Sequence, residues 1–420
     1  MYPIDVGGLR SFLDRRFRAS ARPLIPRTVW LLGLVSCFTD ISSEMISSIL
    51  PVYLFVHLQL SAVQFGVIDG LYQGVTAVAR LASGVVADRW RQYKLVATLG
   101  YGLSAICKIG LLVTGNAWTA VAAILSADRL GKGIRTAPRD ALISLATRPQ
   151  DLGSAFGVHR ALDTVGVLVG PLLAFWILST MPNRFDAIFV VSFAIALIGI
   201  AALVLLVDDR RGDASGERHL TVDLPGLLRN RQFVAITTAA ALTSFVVVSD
   251  AFLYLLLQWK RGSGAETIPL LYAGTATSYL VLAAPLGRLA DAVGRSRVFV
   301  IGQACIVLVY AGMATLDIGL WTLGLVLLLH GAYYAATDGV IAALVSSATR
   351  AEVRASGLAT INTATSLMRL ASSVIVGVIW SWRGPGTVVM LALFASIAAM
   401  ALSSFMLKAT NDRPLETGTA

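Results

Sequence analysis

The amino-acid sequence predicts an all-α polytopic membrane protein, and three observations carry that prediction. Of 420 residues, 56% are hydrophobic and only 14% charged, whereas soluble domains carry roughly a quarter charged residues. The apolar residues gather into runs long enough to cross a bilayer, which takes about 18–25 residues. The basic residues sit in alternate connections between those runs, not on one soluble module, so the net charge of +10 speaks for membrane topology and against nucleic acid.

Twelve runs read as transmembrane helices, at about 28–57, 63–87, 95–114, 117–138, 154–178, 186–207, 232–258, 268–288, 297–314, 319–346, 355–379 and 386–407. Residues 1–27 are polar and Arg-rich and the first apolar run is of spanning length, so no cleavable signal peptide is read there. Arg10, Arg15, Arg16, Arg18, Arg22 and Arg27 precede span 1, and Arg89, Arg91 and Lys94 follow span 2. The connections on the other side hold only Arg184, Lys260, Arg261 and Arg383, so both termini are expected in the cytoplasm. The polar stretch 208–231 divides the spans six and six. The expected organisation is a cytoplasmic tail 1–27, a six-helix bundle 28–207, a cytoplasmic linker 208–231, a second bundle 232–407 and a tail 408–420. Cys37, Cys107 and Cys305 lie inside apolar runs without paired spacing and read as small buried residues.

An internal repeat supports the division. GVVADRWRQYK (84–94) follows span 2 and GRLADAVGRSR (287–297) follows span 8, each placing Asp four residues after Gly and before a basic turn. The pattern resembles the loop signature of the major facilitator superfamily. Gly287, Leu289, Ala290, Asp291, Gly294, Arg295 and Arg297 match it throughout, while the first copy keeps Gly84, Ala87 and Asp88 but has Arg91 and Gln92 in place of glycine and arginine. The resemblance covers nearly the whole chain and implies the major facilitator fold, twelve helices in two bundles. It also implies a conformational latch, carried by Asp88, Arg89, Arg135, Arg139, Asp291, Arg295 and Arg297.

Charges inside the runs mark the functional candidates, because an ionisable group at mid-bilayer costs about 2.5–3.5 kcal/mol and needs a partner or water. Asp40 and Glu44 lie in span 1, Asp69 and Arg80 in span 2, Asp128, Arg129, Lys132 and Arg135 in span 4, and His159, Arg160 and Asp163 in span 5. At about 1.5 Å of rise per residue, Asp40 comes roughly 18 Å deep, Asp128 and Arg129 roughly 15 Å, and Asp163 roughly 14 Å, one shared level. Asp128 with Lys132, and Asp163 with Arg160 and His159, have the spacing of intrahelical pairs. No cation shares a helix with Asp40 and Glu44, so at least one of them is expected to hold a proton, which suits a proton carrier.

Two further stretches resemble superfamily patterns. Leu125, Arg129, Gly133 and Ala137 fit a span-4 motif whose arginine is associated with proton coupling. Gly157, Gly166, Gly170 and Pro171, followed by Ala174, resemble a span-5 motif of antiporters, where small residues permit close helix packing and proline sets a bend. The string DRLGKGIRTAPRDALIS (128–144) resembles one branch of prokaryotic facilitators, and GKGIRT lacks the spacing of a phosphate-binding loop. Asp140 is echoed by Asp338, but His330, Tyr333 and Tyr334 stand where the first half has Lys132, Arg135 and Thr136.

The first half is therefore expected to handle protons through Asp40, Glu44, Asp128, Arg129 and Asp163. Substrate contacts are expected from Arg160, His159, Tyr333, Tyr334, Asn362 and His330, with Tyr254 and Tyr279 shaping the second half. The leading expectation is a secondary active transporter of the bacterial or archaeal cell (inner) membrane, a proton-coupled antiporter exporting a small organic molecule by alternating access. The alternatives are a proton-coupled symporter importing an anionic solute through Arg129, Lys132, Arg135 and Arg160, and a divalent metal exporter using Asp40, Glu44, Asp69, His57 and His159, which lack firm ligand spacing. No nucleophile–base motif, cofactor loop or metal motif is present, so neither an enzyme nor a cofactor is expected. The expected partners are substrate, protons and lipid, with the protein acting as a monomer.

Overall fold

Pro26, with an extended backbone (φ −61°, ψ 147°), leads into the first membrane helix of the computed structural model. The structure describes residues 25–90, 92–148, 151–209, 224–350 and 353–411, without the side chains of 77, 80–90, 224–225, 355 and 409–411. The long helices are α1 (Arg27–Val52), α2 (Ala62–Trp90), α3 (Tyr93–Gly110), α4 (Trp118–Ala146), α5 (Leu152–Thr180) and α6 (Phe185–Leu206), then α7 (Arg231–Val246), α8 (Asp250–Arg261), α9 (Ile268–Val293), α10 (Arg295–Thr315), α11 (Leu320–Ala348), α12 (Arg354–Arg383) and α13 (Pro385–Asn411). A short helix, Leu224–Arg229, precedes α7, and no strand occurs among the described residues. Nine helices there are long and apolar enough to cross a membrane, with α7 and α8 taken as one; α2, α3 and α4 pack among them.

Local chemistry sets the interruptions. Pro51 lacks an N–H for the helical ladder, and directly after it α1 relaxes into a π turn, Tyr53–His57. Residues 247–249 break the run that the sequence reads as a continuous span 7. Backbone groups freed in an apolar setting must find other partners. Here the Val248 N–H donates to the Tyr310 hydroxyl at 2.9 Å, and the Ser372 hydroxyl donates to the Val247 carbonyl at 3.1 Å. Ser249 then caps α8, accepting from the Phe252 N–H. Gly294, between α9 and α10, sits at φ +109°, which only glycine adopts readily; this is the glycine of the second loop signature. Arg91, its counterpart in the first copy, lies outside the described residues.

Packing repeats along the chain. In the first half α1 packs on α5 and α6, α4 on α2 and α3, and α3 on α6. In the second half α7 packs on α12 and α13, α11 on α9 and α10, and α10 on α13. The main contacts between halves repeat as well, α2 with α12 and α5 with α9. Large apolar side chains such as Trp176, Phe394 and Phe405 face outward, as lipid contact requires.

The apolar core has a telling division. On the face where α1 begins and α13 ends, here the terminal face, each half has its own cluster. One holds Val29, Leu32, Tyr101 and Leu142, the other Phe233, Val298, Leu344 and Leu407. On the opposite face a single cluster runs through both halves, including Ile49, Phe65, Phe252 and Val376. There Phe65 and Phe252 meet edge to face at 4.7 Å, and Trp380 lies 5.5 Å from Phe55. The halves are thus joined on the opposite face and parted on the terminal one.

Candidate functional site

Between the parted halves lies a cavity of about 550 Å³. Its walls come from α2, α4 and α5 on one side and α7, α11 and α12 on the other. Arg129, Lys132, Arg160 and Arg369 line it, with Asp338 as its one carboxylate among the lining residues. Two smaller cavities of about 290 and 170 Å³ border Glu44 and Asp250, and the second shares Tyr72, Gln73 and Arg129 with the large one.

Asp40, Glu44 and Asp128 of the first half each face a cation from another helix, which sequence spacing alone does not reveal. Arg135 is 3% exposed, lies 3.3 Å from Asp40 and covers the ring of Tyr101 at 4.6 Å. Lys132 stands 3.7 Å from Glu44. Asp40 and Glu44 therefore do have cations, supplied by α4, and the expectation that one must hold a proton for want of a partner is corrected. Asp128 turns away from the cavity toward α3: Ser104 donates to it at 2.5 Å, and Lys108 lies at 3.5 Å. Arg129 donates twice to its other oxygen, at 3.0 and 2.6 Å, and stacks over Tyr72 at 3.9 Å. The intrahelical pair read between Asp128 and Lys132 is thus not formed. Asp163 lies 3.4 Å from His159, and Arg160 makes no salt bridge among the described residues.

The α5 glycines divide. A Cβ at Gly166 would stand 2.7 Å from the Cys37 carbonyl oxygen, and one at Gly170 equally close to that of Ile41. The same two positions face the Cβ atoms of Asp40 and Glu44 at 2.9 Å, so these glycines let α5 ride on the acidic face of α1. Gly157 has nothing within 4 Å, and its expected packing role is corrected. Pro171 is buried within α5 and lines the 290 Å³ cavity.

Of the expected substrate contacts, Arg160, Tyr333 and Asn362 line the large cavity and Tyr334 the 290 Å³ one. His159 and His330, at 1% and 0% exposure, line none of the cavities described, so they offer no surface to a ligand in this conformation. His330 instead lies 2.9 Å from the carboxylate of Asp250, to which Tyr334 donates at 2.7 Å. Tyr254 donates to Thr275 at 2.7 Å, and Tyr279 borders the same cavity. No group of three or more His, Cys, Asp or Glu suited to a metal occurs among the described residues, and His57 packs on Phe185 with ring centroids 4.9 Å apart.

For the latch residues, Arg295 lies 3.5 Å from Asp291 and donates to the Ala343 carbonyl of α11 at 3.2 Å. Arg297 donates to the Val293 carbonyl, and Arg139 donates to Ser36 and Asp140. The side chains of Asp88 and Arg89 lie outside the described residues. Three further charges within the spans gain partners that spacing in the sequence did not supply. Asp69 is buried and accepts from Ser373 across the α2–α12 seam at 2.6 Å. Asp250 stands in the first turn of α8, directly after the Ser249 cap. Arg369, without a partner in its own helix, lies 3.8 Å from Asp338 of α11.

A wholly helical multi-pass membrane protein with a charged cavity between two repeated halves is the class that this fold and site define. The sequence profile of the Major Facilitator Superfamily matches residues 32–367. An uncharacterized MFS-type transporter of Methanocaldococcus jannaschii is 31% identical over 365 residues, 85% of this chain and 89% of that protein. The chain belongs to the Major Facilitator Superfamily. Multidrug resistance protein MdtH of Cronobacter sakazakii is 26% identical over 271 residues, covering 63% of this chain and 62% of that one. Among solved structures, the crystal structure of nucleoside transporter NupG superposes with a TM-score of 0.74 at 15% identity, covering 92% of this chain and all of the other.

Proposed function

We propose that this protein is a proton-coupled secondary transporter that moves a small organic molecule across the cell membrane by alternating access. In this reading twelve spans form two bundles, 28–207 and 232–407, joined by a linker at 208–231. The terminal face is cytoplasmic, as the distribution of basic residues supports. One observation carries the proposal: a cavity of about 550 Å³ lies between the repeated halves, parted toward one face and sealed at the other by α2–α12 and α5–α9. Such a volume suits a small organic solute, and rocking the halves would expose it to the other side.

The test uses protein reconstituted in liposomes with an imposed pH gradient and a panel of small organic compounds. Compound-dependent collapse of the gradient is expected. A disulfide joining cysteines placed at Asp69 and Ser373 should abolish it by fixing the seam, with recovery on reduction. Undiminished flux in the crosslinked protein would sink alternating access.

Export by proton antiport is the second reading. The close α1–α5 contact at Gly166 and Gly170 favours it, as does the likeness to proteins named for multidrug resistance.

A further inference from the structure

The core holds two kinds of ion pair, and they occupy different places. Arg129–Asp128 at 2.6 Å and Arg135–Asp40 at 3.3 Å are close, and all four side chains are nearly covered. Lys132–Glu44 at 3.7 Å and Arg369–Asp338 at 3.8 Å are beyond hydrogen-bond reach, and all four of these side chains keep solvent exposure. One such loose pair belongs to each half, and both cations stand on the wall of the 550 Å³ cavity. Arg160 shares that wall without a salt bridge among the described residues.

From this arrangement we infer that the cavity binds a small organic anion, bearing a carboxylate or phosphate, between Lys132 and Arg160 of one half and Arg369 of the other, and that the anion is carried together with a proton taken up by Glu44 or Asp338. The inference deepens the transporter reading and rests on it.

Charge balance supplies the link. An anion that reaches Lys132 and Arg369 competes with the carboxylates already facing them. Once displaced, Glu44 or Asp338 is an ionised acid that has lost its cation inside the membrane-spanning region, and protonation relieves that cost. The exchange is balanced when the anion takes one of these cations from its carboxylate: one ion pair opens, another forms, and one proton enters from the aqueous cavity. A cationic substrate would do the reverse, competing with protons for the carboxylates. Arg160, a cation on the wall without a salt bridge among the described residues, together with the loosely held Lys132 and Arg369, favours the anion.

The neighbours fit this exchange. Toward Glu44 face Lys132 and Arg129 from α4 and Tyr72 from α2, with Tyr272 of α9 and Asp250 of α8 across the adjoining cavities. From α5, Gly170 packs against its Cβ, and Thr164 and Pro171 border the same cavity. Toward Asp338 face Arg369 from α12, Asp250 from α8, Tyr279 from α9 and Tyr334 of its own helix. Neither carboxylate has a second cation as near as the first. An anion held by Arg160 and Arg369 together would also tie the halves across the opening, so loading would favour closure of the terminal face.

The test is an equilibrium one. Purified protein in weakly buffered detergent solution is titrated with benzoate, succinate, citrate and glycerol 3-phosphate, and with benzamide and succinamide as neutral counterparts. Heat and pH are recorded together. At least one anion should bind with uptake of about one proton, and the amides should not bind. Arg369→Gln and Arg160→Gln should each weaken the anion by about tenfold or more. The pair Glu44→Gln with Asp338→Asn should keep anion binding and lose the proton uptake. Proton release on binding, binding with no proton change, preference for an amide, or failure of all four anions to bind would each overturn the inference. Anion-linked proton uptake without any vesicle flux would instead sink the transporter reading and the carriage of the anion while leaving its binding site standing, and flux of a neutral compound without anion binding would sink the anion site alone.

Discussion

Ser373 of α12 donates a 2.6 Å hydrogen bond to the carboxylate of Asp69 on α2, joining the two halves within a seam so tight that a Cβ at Gly70 would come 2.9 Å from the Leu370 carbonyl oxygen. Alternating access requires this seam to part, and parting exposes Asp69 to water. Ser373→Ala should leave the buried carboxylate short of a donor, at a cost of about 1–3 kcal/mol. That cost falls only on the sealed state, so the population should shift toward opening of the opposite face. Labelling of a cysteine at Ala62 by a membrane-impermeant maleimide reads the shift, and a rate at least about fivefold higher is expected. An unchanged rate would mean that the seam does not depend on this bond.

The α5 glycines predict a sharp contrast. At Gly170 a side chain would collide with the Ile41 carbonyl and the Glu44 Cβ, both of which belong to a packed helix. Gly170→Val should lower stability by about 1–3 kcal/mol or more through overpacking. Gly157→Ala, open for 4 Å around, should be neutral or slightly stabilising. Thermal unfolding in detergent distinguishes the two, and equal losses at both positions would refute the packing argument.

The fold was legible in the sequence because bilayer thickness, apolar run length and the distribution of Arg and Lys act on single segments. The loop signature at Gly287–Arg297 and the glycines at 166 and 170 also carry their geometry locally. Partnership was not legible. Spacing proposes Lys132 for Asp128, but the nearest cations in space are Arg129 and Lys108 of the neighbouring helix. Likewise Asp40 and Glu44 looked bare of cations because theirs arrive from α4, about ninety residues along the chain. The break at 247–249 was hidden because Val246, Val247 and Val248 are as apolar as any spanning segment, and only tertiary donors and acceptors make the break tolerable.

That break offers a direct measurement. Tyr310 accepts the Val248 N–H, and Tyr310→Phe removes the acceptor while keeping the ring. A buried amide left unpaired costs about 1–3 kcal/mol. Hydrogen exchange at Val248 should therefore accelerate, with the helix start at Asp250 less firmly held. Wild-type protection in the variant would show that another group satisfies the amide.

Asp40 and Arg135 are best separated from the coupling machinery by a double-mutant cycle. Both are buried, and Arg135 is further enclosed by the Tyr101 ring. Asp40→Asn leaves the guanidinium without its counter-charge, and breaking a buried pair in this way costs about 3–5 kcal/mol. Removing both charges together, with Asp40→Asn and Arg135→Gln, should restore most of that stability, because no isolated charge remains. If the pair is structural, the double variant should also regain pH-driven transport in liposomes. A double variant that is stable yet inert would instead place Asp40 back among the proton carriers.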